Sequence, residues 1–247
     1  MLVRMRLPKP TMADRRLILG VAISGISLLL MSIGLFAVVS ALTTDSVQLP
    51  SQGSIQDIVS VNSGAGSVSA LPGAQPTPPS GPKPVRLAIS RIEVDAPVIE
   101  LSVEPGTTNP AVPKQGDQVA WYDFSAPPGL TSNAVFAGHV DWQTANGQPI
   151  AGAFYRLREL HIGDDIRVAL EDGSTLQYRV TGNVAVKYDD PNVIKAMGPT
   201  SKDVLTLITC GGAWQKNPAE ANGGNYSHRI IVRAERVTDA APTPATG

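Results

Sequence analysis

The chain carries one cysteine, Cys210, at the end of the apolar run Val204-Leu205-Thr206-Leu207-Ile208-Thr209 and ahead of Gly211-Gly212. A strand that stops at a cysteine puts the thiol at a sheet rim, where solvent and substrate reach it. The glycines let another backbone come close. A second run of the same form, Ala134-Val135-Phe136-Ala137-Gly138, ends at His139 and leads into Val140-Asp141-Trp142. A third segment, Asn225-Tyr226-Ser227-His228-Arg229-Ile230-Ile231-Val232, has Arg229 opening an apolar strand. Each residue alone has a plain reading: a buried small apolar side chain for the cysteine, a satisfied structural ring for the histidine, a solvated charge for the arginine. Together the three types make an acyl-transfer site. A thiolate attacks, and a neighbouring imidazolium or guanidinium stabilises it. The histidine protonates the leaving amine. The arginine donates to the substrate carbonyl or the developing oxyanion, work suited to a permanent cation with several donors. His161 sits in a surface turn, and His228 and Arg233 are the neighbouring alternatives to Arg229 should the strand register differ.

Short strand-like runs must position these groups. They are Val85–Ile89, Ala96–Leu101, Asn133–Ala137, Asp165–Leu170, Thr175–Lys187, Val204–Thr209 and Arg229–Val237. Turn signals separate them: Pro105-Gly106, Pro127-Pro128-Gly129, Asn146-Gly147 and Asp172-Gly173, the last between two alternating runs as in a hairpin. Helical signal is confined to Ala151–Leu160 and to Pro191–Met197, the second with Asp190 as cap and Pro191 in the first turn. Many strands at short spacing predict an all-β barrel or sandwich. Residues 85–237 hold all three tryptophans and read as the folded domain.

The remainder of the chain differs in kind. Residues 1–16 carry five basic side chains against Asp14, and residues 17–42 contain no charge. A helix of that length spans about 39 Å, against about 30 Å of bilayer hydrocarbon. It is too long for a secretory signal core, so the expectation is an uncleaved single-pass anchor with a cytoplasmic basic tail and everything downstream outside the cell. Residues 43–84 are rich in Ser, Gly, Pro, Val and Gln, lack Trp, Tyr and Phe, and read as a flexible linker that stiffens over Pro76–Pro84. Residues 238–247 read as a loose tail. The net charge of −1 among 247 residues gives no reason to expect nucleic acid as a partner, and a lone cysteine excludes an internal disulfide.

The stretch Thr206-Leu207-Ile208-Thr209-Cys210 matches the Thr-Leu-X-Thr-Cys signature of the sortase family. His139 lies upstream on another strand, as in sortases, and Arg229 falls where the family has its catalytic arginine. Gly138-His139-Val140-Asp141 and Cys210-Gly211-Gly212 resemble the class F-like branch most closely. The resemblance covers residues 85–237. It implies an eight-stranded β-barrel with short helices and a site at one end formed by His139, Cys210 and Arg229. Thr209, Trp142 and Trp214 would help to shape or line the substrate pocket, although plain packing explains both tryptophans as well. It further implies cleavage of a Leu-Pro-X-Thr-Gly-like C-terminal sorting motif on surface proteins, a thioester on the cysteine, and resolution by an amine from a cell-wall precursor or a pilin. No cofactor is implied in general. Some members use calcium, but the one acidic pair near the expected substrate loop, Asp189-Asp190, is explained by helix capping. Two other readings stand beside this one: a mainly hydrolytic endopeptidase of the same fold, and a non-catalytic β-domain with Cys210 buried.

Overall fold

Alternating apolar residues demand strands with one buried face, and the chain supplies enough of them to close a sheet on itself. The computed structural model describes residues 48–60, 80–143, 146, 148–218 and 223–238. All belong to one unit, Gln48–Gly247. Its elements are β1 (Ser51–Gln52), α1 (Ile55–Ser60), β2 (Pro84–Ile89), β3 (Val94–Leu101), β4 (Val119–Tyr122), β5 (Asn133–Gly138), β6 (Asp141–Gln143), β7 (Pro149–Ala151), β8 (Asp165–Leu170), β9 (Thr175–Lys187), α2 (Asn192–Ala196), β10 (Val204–Lys216) and β11 (Gly224–Arg236). The sheet runs β9-β11-β10-β5-β4-β3-β2-β8, and β8 pairs again with β9 to close an eight-stranded barrel. This is the architecture the sequence predicts. Two neighbouring pairs are parallel, β3 with β4 and β5 with β10.

Every barrel strand contributes to the interior, which is filled by Leu87, Val119, Trp121, Phe136, Val168, Tyr178, Leu205, Leu207 and Val232 among others. A second apolar layer lies on the outward face of one side. There Ala120, Val135, Val184, Ile208 and Ile231 meet Ile58 of α1 and Val193 and Ala196 of α2. One strand therefore serves two cores: in β10, Leu205 and Leu207 point in, while Ile208 points out.

Four expectations change. Ala151–Leu160 is not an α-helix. It ends β7, turns, and closes with a 3-10 turn at Leu157–Glu159. Phe154, Leu157 and Leu160, all fully buried, recur every three residues, the 3-10 period. β4 was not anticipated, because its four residues are all buried and show no alternation. β10 and β11 run on past Cys210 and Arg229 into a long hairpin, with a bulge between Gly211 and Trp214. Finally, residues 51–60 fall inside the segment 43–84 expected to be a linker, yet they dock. Ser51 and Gln52 pair with Val184 and Asn183 at the edge of β9. The Ser54 hydroxyl then accepts from the Asp57 amide at 3.2 Å, and the Asp57 carboxylate accepts from the Ser54 amide at 3.0 Å. This reciprocal box starts α1 and turns Ile58 into the outer core, where it is 4% exposed.

The expected basic tail (1–16), membrane anchor (17–42), the linker residues 43–47 and 61–79, and 239–247 of the tail lie outside the described residues. Among the described residues no helix is long and apolar enough to cross a membrane.

Candidate active site

Cys210 sits opposite Arg229 in the antiparallel β10–β11 pair, and Arg229 in turn sits opposite Val186 of β9. Paired residues project from the same face. Here it is the outward face that carries Ile208, Ile231 and Val186. Beyond the edge of the outer core this face turns polar, and Cys210 and Arg229 are the residues at that transition. The guanidinium is held in place from one side. Its Nη2 donates to Asn225 Oδ1 at 3.0 Å, its Nη1 donates to the His228 carbonyl at 3.1 Å, and its Cζ stands 5.8 Å from the centre of the Tyr188 ring.

His139 follows β5, the parallel neighbour of β10. The register pairs Ile208 with Ala137, the last pair of the β5–β10 ladder, and Cys210 and His139 each follow two positions beyond it. The Thr209 hydroxyl fastens this junction by donating to the Gly138 carbonyl at 2.8 Å. Thr209 is 4% exposed and, by alternation, faces the interior rather than the side of Cys210. Its visible role is to lock the histidine strand to the cysteine strand.

The histidine ring packs 4.7 Å from Trp142, and its Nε2 lies 2.8 Å from the Pro113 carbonyl. A carbonyl can only accept, so Nε2 carries the proton and Nδ1 is the nitrogen free to take up another. Trp142 is thus a neighbour of the proposed acid rather than a distant wall. Trp214 is 47% exposed on the β10–β11 hairpin and meets the Tyr226 ring edge-on at 5.2 Å.

Electrostatics at the sulfur are mixed. Burial pushes the Cys210 thiol above its ordinary value, Arg229 pulls it down, and Asp141 pushes it up. Of these influences Arg229 is the one that favours the thiolate.

Three residues important to this geometry gave little sequence signal. Gly152 lies against the His139 backbone. A Cβ there would fall 2.6 Å from the His139 carbonyl carbon and 2.8 Å from its Cβ. Its own amide donates to the Val140 carbonyl at 3.0 Å, and the Phe154 amide donates to the His139 carbonyl at 2.9 Å. A glycine after Pro149-Ile150-Ala151 could have been flagged as a close approach, but nothing in the sequence named its partner. The other two are Asp141 and Tyr226, whose side chains hydrogen-bond to each other. Gly212, two residues after the cysteine, has φ +78°, a left-handed conformation that suits glycine, and a Cβ there would meet His228 Nδ1 at 2.8 Å.

The two alternatives to Arg229 are placed elsewhere. His228 is opposite Gly211, with Nδ1 2.8 Å from the Ser227 hydroxyl. Arg233 is buried beneath the helices. Just ahead of α2, whose N-cap residue is Pro191 rather than the expected Asp190, the Asp190 carboxylate accepts the Asn192 amide at 2.8 Å, which gives that acid a main-chain partner.

Comparison with known proteins gives a concordant answer. A family model described as the sortase domain matches residues 87–237, more than half of the chain. Among solved structures, a sortase D5 transpeptidase of Clostridium perfringens is 20% identical over 63% of this chain and 79% of that one, with a TM-score of 0.44. Sortase A of Corynebacterium diphtheriae is 25% identical over 68% of this chain and 66% of that one, TM-score 0.42. Sortase C-1 of Actinomyces oris is 26% identical over 63% and 75% of the two chains, TM-score 0.41. No curated protein matches the chain.

Proposed function

Because the chain belongs to the sortase family of cysteine transpeptidases, we propose that Cys210 is its acylated nucleophile, His139 its acid and base, and Arg229 its oxyanion-side cation. The observation that carries this reading is the strand pairing: Cys210 sits opposite Arg229 on β10–β11, and β5, which leads into His139, runs parallel beside β10 and is tied to it by the Thr209–Gly138 hydrogen bond.

The chemistry balances without a cofactor. The thiol proton passes to His139 as the sulfur attacks the scissile carbonyl carbon. The tetrahedral oxyanion gains from the Arg229 charge. The C–N bond breaks and His139 protonates the leaving amine, leaving a thioester on Cys210. An acceptor amine then attacks the thioester and loses its proton to His139, and the C–S bond breaks. Donor substrates of this kind are surface proteins with a Leu-Pro-X-Thr-Gly-like C-terminal motif, and the acceptors are amines of a cell-wall precursor or a pilin. The uncharged run at 17–42, with basic residues before it, supports a single-pass anchor that holds the barrel outside the membrane.

The test is mass spectrometry of the chain with a sorting-motif peptide, with and without a triglycine acceptor. Wild type should show the Cys210 thioester adduct and amine-linked product, and Cys210→Ala should show neither while remaining folded. Full turnover by Cys210→Ala would refute the assignment, and hydrolysed product alone at every amine concentration would make the protein an endopeptidase.

A further inference from the structure

We propose that Asp141 and Tyr226 form a latch across the mouth of the site. The latch holds the hairpin that follows His139 against the hairpin that carries Cys210 and Arg229, and both members are positioning residues for acyl transfer. The inference rests on the catalytic roles given above but adds residues that those roles do not use.

The first ground is what the β6–β7 hairpin lacks. It forms a two-stranded sheet of its own, pairing Asp141 with Ala151, Trp142 with Ile150 and Gln143 with Pro149, and it is separate from the barrel sheet. Two strands with three pairs are marginal alone in water. This hairpin begins two residues after His139, so its freedom becomes freedom of the imidazole. Near the barrel, main-chain bonds to His139 and Val140 hold its base. Its first strand is held from the other side by the Tyr226 hydroxyl, which donates to the Asp141 carboxylate across 85 residues of sequence.

The second ground is that Tyr226 is tied to the strand pair that carries Cys210 and Arg229. Tyr226 pairs with Trp214 in the β10–β11 register, and the two rings meet edge-on. Tyr226 is also tied to the arginine, since its carbonyl accepts from Arg229 Nη1 at 3.4 Å. One residue thus connects the cation's strand to the histidine's hairpin. Burial, followed by the Asp141 hydrogen bond, raises the Tyr226 phenol well above its ordinary value. The shift favours the neutral hydroxyl, the form that donates. The acid end of the latch also lies within the electrostatic field of Cys210.

The experiment uses the whole chain and the variants Tyr226→Phe, Asp141→Ala, Asp141→Asn and the Tyr226→Phe/Asp141→Ala double variant. Tyr226→Phe keeps the ring against Trp214 and removes only the donor. Asp141→Asn keeps an oxygen acceptor. Single-turnover thioester formation should fall roughly tenfold in Tyr226→Phe and in Asp141→Ala, with the peptide KM unchanged. The double variant should be no slower than the worse single one, and Asp141→Asn should recover most of the rate lost in Asp141→Ala. Amide hydrogen exchange over residues 139–152 should quicken in Tyr226→Phe while the melting temperature holds, a readout that needs no substrate. Wild-type exchange in Tyr226→Phe, or losses that multiply in the double variant, would overturn the latch. A wild-type chain that forms no thioester, with exchange still quickened by Tyr226→Phe, would keep the latch and refute the catalytic reading.

Discussion

β11 carries two arginines on its outward face, Arg229 at the rim and Arg233 under the helices, and they differ in what each guanidinium meets. Arg229 is half-buried beside Cys210, with one side bonded to Asn225 and main-chain carbonyls. Arg233 is 3% exposed, lies opposite Thr206, and donates through Nη2 to the carbonyls of Ile58 in α1 and Ala196 at the end of α2, each at 3.2 Å. Burial pulls the Arg233 pKa down to about 10, the mark of a charge taken out of water. The same strand face thus places one cation beside the cysteine at the edge of the outer core and one between the core's two helices. Sequence cannot rank them, because both precede or interrupt apolar residues in one run. Only the register separates them.

The comparison breaks most sharply at Arg229. Arg229→Ala should cut the rate of thioester formation by about 10²–10³-fold, the usual loss when one oxyanion donor is removed. Arg229→Lys should restore little of it, since an ammonium does not reproduce the guanidinium fork. Urea midpoints should stay near wild type. The same substitution should move the pH midpoint of Cys210 alkylation upward. Arg229 is the influence that lowers the thiol, so without it burial and Asp141 act unopposed and the thiolate forms only at higher pH. An unmoved midpoint would mean that the cation does not serve the sulfur.

Arg233→Met is the converse. Methionine fills much of the space but leaves the Ile58 and Ala196 carbonyls without this donor. The cost should be about 2–4 kcal/mol in urea unfolding. Thioester formation per folded molecule, and the alkylation midpoint, should not change. A catalytic loss without a stability loss would reverse the roles of the two arginines.

The contrast also explains what the sequence disclosed. The closed barrel and the choice of Arg229 rested on the family resemblance, while the all-β class was legible because it depends on a local pattern, alternating apolar residues broken by turn signals. The Asp172-Gly173 hairpin was legible for the same reason, and its Asp172 carboxylate accepts the Ser174 amide at 2.9 Å. Asp141–Tyr226, Gly152–His139 and Arg233–Ala196 were not legible. Asp141–Tyr226 and Arg233–Ala196 join distant residues through side chains that are ordinary for their neighbourhoods, and Gly152–His139 is a close backbone approach with no local signature. β4 was missed because burial on both faces erases alternation. The 3-10 turn at Leu157–Glu159 was read as α-helix because periods of three and 3.6 are hard to tell apart over a single turn. Thr209, expected to help shape the pocket, lies on the strand face opposite Cys210, where its hydroxyl bonds the Gly138 carbonyl.

The docked arm at 51–60 is the region where composition misled most, and it gives the smallest effect at the helix-covered end. Ser, Gly and Pro richness argued for a spacer, yet Ser54-Ile55-Gln56-Asp57 contains a start signal for a helix and Ile58 follows on its buried side. The box gives the Ser54 amide an acceptor and adds a second one to the Asp57 amide, which also donates to the Ser54 carbonyl at 3.1 Å. Ser54→Ala removes the hydroxyl that accepts from Asp57 and should cost about 1 kcal/mol. The loss should be local. Amides of 55–60 should exchange faster while those of β10 keep their protection, since the barrel closes through β8 and β9 without this arm. Arg233 receives its α1 carbonyl from Ile58, so in an Arg233→Met background the Ser54→Ala cost should shrink, because part of what the box orders has already lost its partner. Full additivity of the two substitutions would show that the cap and the buried arginine hold the arm independently.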